Sequence, residues 1–168
     1  MTLAEAAAEA DALADRGAER ELATLRGQWD DELEAAARSK DFRERAVAYR
    51  AIAQFRFRQK MELLRRGLED ESPACRGSAV LSLERLSHDH PAVVNSARTL
   101  LHDLVARDDN EAVRRLSIMA LRNGSPQPNT IAILSALAED DEQTRELREA
   151  AGKVAQILRR KAGPKKPG

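Results

Sequence analysis

Four arginines in phase constrain this chain more than any other feature of its sequence. Segments starting at Arg45, Arg76, Arg114 and Arg148 align on one another at spacings of 31, 38 and 34 residues. Three positions beyond each arginine stands a small residue: Ala48, Ala79, Ser117 and Ala151. Seven beyond stand Ile52, Leu83, Leu121 and Ala155, and ten beyond stand Phe55, Leu86, Gly124 and Leu158. Only Gly124 leaves the apolar pattern. Four positions before each arginine stand Asp41, Ser72, Asn110 and Thr144. All four are residue types that cap a helix N-terminus, because a side-chain oxygen accepts a backbone N–H the helix leaves unpaired. Asp41 and Glu44 add a capping-box spacing. A unit of this length with two helices cannot bury its apolar face alone, and it gains a core only by stacking on its neighbours.

The apolar periodicity predicts helices over 3–15, 41–55, 58–70, 72–86, 90–107, 110–123, 129–140 and 144–160. A further helix runs to about residue 39, either after a break at Gly17 or as a continuation of the first. Thirty of the 168 residues are alanine, the best intrinsic helix former, which reinforces an all-α reading. The expected architecture is a right-handed α-α superhelix of about four helix pairs with an additional N-terminal helix. Its domain organisation is one solenoid over 1–160: acidic helix 1–17, then repeats at 18–56, 57–87, 88–123 and 125–160. A basic, disordered tail follows over 161–168.

The second-helix segments NEAVRRLSIMAL (110–121) and SPACRGSAVLSL (72–83) resemble the HEAT-repeat family, in which an acidic turn leads into a D-x-x-V-R-x-x-A-x-x-A-L type helix. DFRERAVAYRAI (41–52) and TRELREAAGKVA (144–155) resemble it more loosely, and the valine before the arginine stands only at Val113. The resemblance implies a HEAT-like α-solenoid. It also implies that Arg45, Arg76, Arg114 and Arg148 form a structural ladder tying neighbouring repeats together. Metal-dependent hydroxylases within the wider solenoid group carry repeated His-Glu pairs, and this sequence has no His-Glu dipeptide.

Nothing in the sequence supplies a phosphate loop, a nucleophile motif or a paired-carboxylate site. The lone Cys75 lies in an apolar stretch and reads as a core residue. Asp89 or His90 reads as a cap for a helix opening at Pro91, rather than as part of a metal site with His88. His102 reads as a partly exposed polar residue. No catalytic residue, cofactor or metal is expected. No apolar run is long enough to cross a bilayer, and the N-terminus lacks a signal-peptide pattern, so a cytoplasmic location is expected.

Lys+Arg and Asp+Glu balance at 28 each, but the charge is blocked. Residues 1–37 carry ten acids and three bases, whereas residues 38–66 carry ten bases and three acids. The basic block has three readings: a surface neutralised by the acidic N-terminal helix, a site for an acidic protein segment, or a nucleic-acid contact. The leading expectation is a non-catalytic adaptor that presents its second helices to a protein partner. Its candidate contacts are Tyr49, Arg50, Gln54, Arg56, Arg58, Arg85, Arg115 and Arg122, with Tyr49 as an aromatic anchor. The alternatives are a nucleic-acid-binding module using 38–66 and the tail, and a solenoid enzyme.

Overall fold

The computed structural model describes residues 1–164. Those residues form ten α-helices: α1 (Leu3–Asp15), α2 (Glu19–Ala37), α3 (Phe42–Gln54), α4 (Met61–Leu68), α5 (Pro73–Ser87), α6 (Ala92–Ser96), α7 (Arg98–Arg107), α8 (Glu111–Leu121), α9 (Pro128–Glu139) and α10 (Arg145–Ala162). The fold is all-α, of HEAT-like helix pairs. The chain divides into two compact units, Met1–Leu86 and Ser87–Gly168.

Local chemistry sets the helix ends. Asp41 Oδ1 accepts the Arg43 N–H at 2.9 Å, Asn110 Oδ1 the Val113 N–H at 3.1 Å, and Thr144 Oγ1 the Leu147 N–H at 3.3 Å. Ser72 directly precedes Pro73, whose missing N–H costs nothing at a first helical position. The Asp41–Glu44 capping box does not close. The Asp41 N–H is instead taken by Ser39 Oγ at 3.1 Å. Gly17 breaks the first helix from the second at φ 71°, where the Ala18 N–H reaches back to the Leu13 carbonyl at 2.9 Å in a Schellman turn.

In the first unit, α1 packs on α2 and α3, and α2 packs on α3. Ala6, Ala7 and Ala10 are fully buried and let α1 approach closely, while Leu3 and Leu13 anchor its two ends. Helices α3 and α5 run parallel in one register. The Cys75 thiol donates to the Phe42 carbonyl at 3.2 Å, and the Ser82 hydroxyl donates to the Tyr49 carbonyl, an offset of 33 residues in both cases. The small column lies at the closest crossings: Ala48 and Ala79 are fully buried, and a Cβ placed on Gly67 of α4 would meet the Ala79 Cβ at 2.7 Å.

In the second unit, α7 packs on α8, α9 on α10, and α8 on α10. Ser117, Ala151, Leu121, Ala155 and Leu158 are all buried there. The exception at Gly124 has a steric cause. A Cβ at that position would meet Val94 Cγ1 at 2.8 Å, so only glycine fits.

Two expectations change. The helix predicted over 90–107 is split at Ala97. The Ser96 hydroxyl takes the Val93 carbonyl at 2.9 Å, and the Ala97 N–H tightens to the Val94 carbonyl at 3.1 Å. Helix α6 also lacks a side-chain cap from Asp89 or His90, because the Val93 N–H bonds the His90 carbonyl at 3.1 Å. At the C-terminus α10 runs on through Lys161 and Ala162, where lysine in the last turn suits the negative end of the helix. The remainder of the predicted tail, 165–168, lies outside the described residues.

Candidate interaction surface

The arginine column is a set of turn clamps. Arg45 forks onto Asp70, Nε to Oδ2 at 2.9 Å and Nη2 to Oδ1 at 3.0 Å. Its Nη1 donates to the carbonyls of Ser39 and Lys40 at 3.0 and 3.2 Å. Arg76 repeats the second part of this pattern on the carbonyls of Asp70 and Glu71, at 2.9 and 3.1 Å. Arg114 Nε donates to the Val105 carbonyl at 2.8 Å and its Nη1 to Gln143 Oε1 at 2.9 Å. Arg148 Nε reaches the Ala138 carbonyl at 3.4 Å. Arg45 and Arg76 therefore satisfy carbonyls of the turn after the preceding helix, and Arg114 and Arg148 carbonyls of that helix's last turn, where backbone acceptors have no helical partner.

Arg45 and Asp70 are largely withdrawn from water, with side chains 13% and 7% exposed. Burial alone would raise the Asp70 pKa. The hydrogen bonds from Arg45, the Ser72 N–H and the guanidinium charge outweigh it and hold the carboxyl below its ordinary value.

The acidic N-terminal helix neutralises part of the basic block. Arg56 pairs with Asp11 at 2.8 Å and Asp15 at 3.2 Å, and Arg85 pairs with Asp15 at 3.1 Å. Lys60 sits between Asp30 at 2.6 Å and Glu34 at 2.7 Å, and over the Phe57 ring at 4.8 Å. Burial pulls the Lys60 pKa down, but the two carboxylates outweigh it and the net shift is upward. Arg38 pairs with Glu34 and Arg65 with Glu62, each at 2.6 Å. With Arg45, at least five of the ten bases in 38–66 carry a carboxylate partner.

Apolar and basic residues are exposed on α3 and α5 of the first unit. Apart from Met1, the exposed large hydrophobic residues are Phe42, Val47 and Leu81, at 43%, 37% and 37%. Val47 lines an apolar groove of about 780 Å³ with Leu3, Ala4, Ala35 and Ala36. Arg50, Gln54, Leu81 and Arg85 line a smaller trough of about 200 Å³, with Asp11 at its edge. Arg43 stacks on Phe42, its guanidinium carbon 5.5 Å from the ring centre.

Tyr49 does not join that surface. It is 2% exposed, its ring would lie 3.1 Å from a Cβ on Gly67, and burial pushes its hydroxyl pKa up. Arg50 is exposed, Gln54 is half-buried and Arg58 is exposed beside α2. Arg115 is exposed on α8, whereas Arg122 is the half-buried C-cap of that helix and its carbonyl accepts from Lys161 Nζ at 2.5 Å. Cys75 is fully buried, and burial pushes its thiol pKa up. Among the described residues no group of three or more His, Cys, Asp or Glu is placed to hold a metal ion.

Two functional elements were not foreseen from the sequence. The first is Asp70 as the partner of Arg45. Its signal is the column two positions before each cap, where Ser39, Asp70 and Asp108 each accept the N–H of the capping residue at 2.9–3.1 Å. The second is the backbone of Arg56, a candidate contact that instead sits at φ 58° as the left-handed residue of a Schellman turn ending α3. The Phe57 N–H reaches the Ile52 carbonyl at 2.9 Å across it.

Residues 31–103 match the family model for HEAT repeats. A HEAT-repeat domain is present over these residues. The matched HEAT segment begins within α2 and ends within α7, and so contains the Arg45 and Arg76 clamps and the exposed Phe42, Val47 and Leu81. No curated protein and no solved structure matches the chain. Among the described residues no helix is long and apolar enough to cross a membrane.

Proposed function

We propose that this HEAT-like scaffold is an adaptor that binds a protein partner on the second-helix surface of its first unit. The observation carrying the reading is exposed Leu81 in a trough with Arg50 and Arg85, together with exposed Val47 in an apolar groove on the same helix as Arg50. Exposed apolar side chains rimmed by arginine are the composition of a protein interface, where apolar residues supply the buried area and arginine the directional contacts. The adaptor works in the cytoplasm, and its partner presents an acidic segment. Binding needs no chemistry from the chain itself.

A nucleic-acid contact through 38–66 is the less favoured reading, because Asp11, Asp15, Asp30 and Glu34 already occupy Arg56, Lys60 and Arg38. A photo-crosslinking amino acid placed at Val47 or Leu81 tests the adaptor reading in cells. Discrete protein adducts at these positions, and none from Glu62 on α4 or Glu69 at its C-cap, are expected. Equal labelling from both sets, or adducts removed by nuclease, would overturn it.

A further inference from the structure

A second feature of the first unit has no structural explanation within the unit. Gly27 lies in the interior of α2, where glycine is the poorest ordinary helix former. A Cβ built there meets nothing within 4 Å, so neither packing nor backbone conformation calls for glycine. Gly67 and Gly124, by contrast, sit under atoms less than 3 Å from the missing Cβ. The bare helix surface at Gly27 forms part of a cleft of about 430 Å³, walled by Arg26 and Asp30 from α2 and by the segment 56–59 after α3.

The charges in that cleft are unequally committed. Arg56 is taken by Asp11 and Asp15, and Asp30 by Lys60. Arg26 spends one nitrogen on the Phe55 carbonyl at 3.1 Å, leaving most of its five N–H donors for another acceptor. Arg58 is exposed and has no carboxylate partner among the described residues. The cleft therefore holds two guanidinium groups with donors to spare over a stretch of helix with no side chain in the way. Phe57 and Gln59 add an apolar face and an amide to the same wall.

We propose that this cleft receives a carboxylate side chain from an acidic protein segment, held by Arg26 and Arg58 with its backbone passing over α2 at Gly27. Guanidinium groups bind a carboxylate through paired N–H donors, and close passage of a second backbone is what a missing Cβ permits. A continuous phosphate backbone fits less well, since Asp30 lines the same cleft and Asp11 and Asp15 already neutralise Arg56 in its wall. The inference rests on the adaptor reading for the nature of the partner. It concerns a different surface, so it fails separately: loss of peptide binding here leaves crosslinking at Val47 and Leu81 unaffected.

The test uses the full chain and a labelled synthetic peptide with one Glu flanked by Gly and Ser, titrated by fluorescence anisotropy at low salt. The same peptide with Gln for Glu, an oligothymidylate and inorganic phosphate serve as comparators. The Glu peptide binds, the Gln peptide does not, and Arg58→Glu weakens binding by at least about tenfold, the effect of one lost charge-assisted contact. Gly27→Gln produces a comparable loss while raising the thermal midpoint, because glutamine is the better helix former. A gain in stability with a loss of binding cannot come from misfolding. Failure of the wild-type chain to bind the Glu peptide would overturn the proposal. So would wild-type affinity in both variants, or tighter binding of oligothymidylate or phosphate with the same dependence on Arg58 and Gly27.

Discussion

Asp70 accepts from Arg45 through both carboxylate oxygens, and one of them, Oδ1, also holds the N–H of Ser72. A single side chain thus closes the turn that starts α5 and fastens α3 of the preceding pair to it. Removing one partner of a largely buried ion pair strands the other charge, which costs about 3–5 kcal/mol. Asp70→Ala is expected to lower the unfolding free energy by about 3 kcal/mol in urea denaturation. Asp70→Asn keeps an acceptor for Ser72 and costs less. Because the folded pKa of Asp70 is lowered, its contribution is complete above the unfolded value, near 3.9, and is lost as pH falls through the folded value. The acid limb of a pH–stability curve is therefore shallower in Asp70→Asn.

Arg56 holds a left-handed backbone conformation that an L-residue adopts at a cost of about 1 kcal/mol. Its guanidinium offsets that cost through Asp11 and the Ala53 carbonyl at 2.8 and 2.7 Å. Arg56→Ala removes the contacts and keeps the strain, whereas Arg56→Gly removes both. Calorimetry is expected to place the glycine variant above the alanine variant by about 1 kcal/mol. The reverse order would refute the assignment of strain at this turn.

Two helical glycines predict opposite outcomes for the same substitution. At Gly67 an added methyl meets Ala79 and the Tyr49 ring, so Gly67→Ala is expected to destabilise by about 1–3 kcal/mol. At Gly152 of α10 the nearest atom is Ala138 Cβ at 3.5 Å, an ordinary contact. Gly152→Ala is expected to stabilise by about 0.5–1 kcal/mol. Chemical denaturation of the two variants checks both signs.

His102 in the second unit bonds Thr130 Oγ1 at 2.9 Å, and the same oxygen accepts from Arg98 at 2.8 Å. Burial, then the positive charge of Arg98, lowers the His102 pKa against the weaker opposing pull of Asp103. The unfolded chain therefore binds the proton first, at about pH 6.5, and stability falls as pH drops from there through the folded value. Protection of amides in α7 and α9 from hydrogen exchange, taken relative to the intrinsic rate at each pH, is expected to fall between about pH 7 and 5, and His102→Gln should remove that dependence. An unchanged profile in the variant would contradict it.

The sequence made the repeat legible because its columns are set by short-range rules. Caps need a small polar acceptor, and crossings need a small side chain, so Asp41, Asn110, Thr144, Ala48 and Ala79 are visible in one dimension. The break at Ala97 was not visible, since it arises where a serine hydroxyl competes for a single carbonyl. Tyr49 was misplaced for a related reason. Its half-polar side chain suits a surface by composition, but the glycine at 67 opens a pocket for the ring, and the two are 18 residues apart. The surface itself was half legible: Arg50 and Arg85 stood out by charge, whereas nothing in the sequence pattern marked Phe42, Val47 and Leu81 as exposed.

The central claim is that the α3–α5 surface binds a protein. The dissociation constant of the crosslinked partner, measured for the wild-type chain and for Leu81→Asp, tests it most directly. Leu81 is 37% exposed, so the substitution leaves the core intact and the thermal midpoint close to wild type. The carboxylate removes apolar contact area and repels an acidic partner segment, and affinity is expected to fall by at least about tenfold. An unchanged dissociation constant, with the fold intact, would contradict the account.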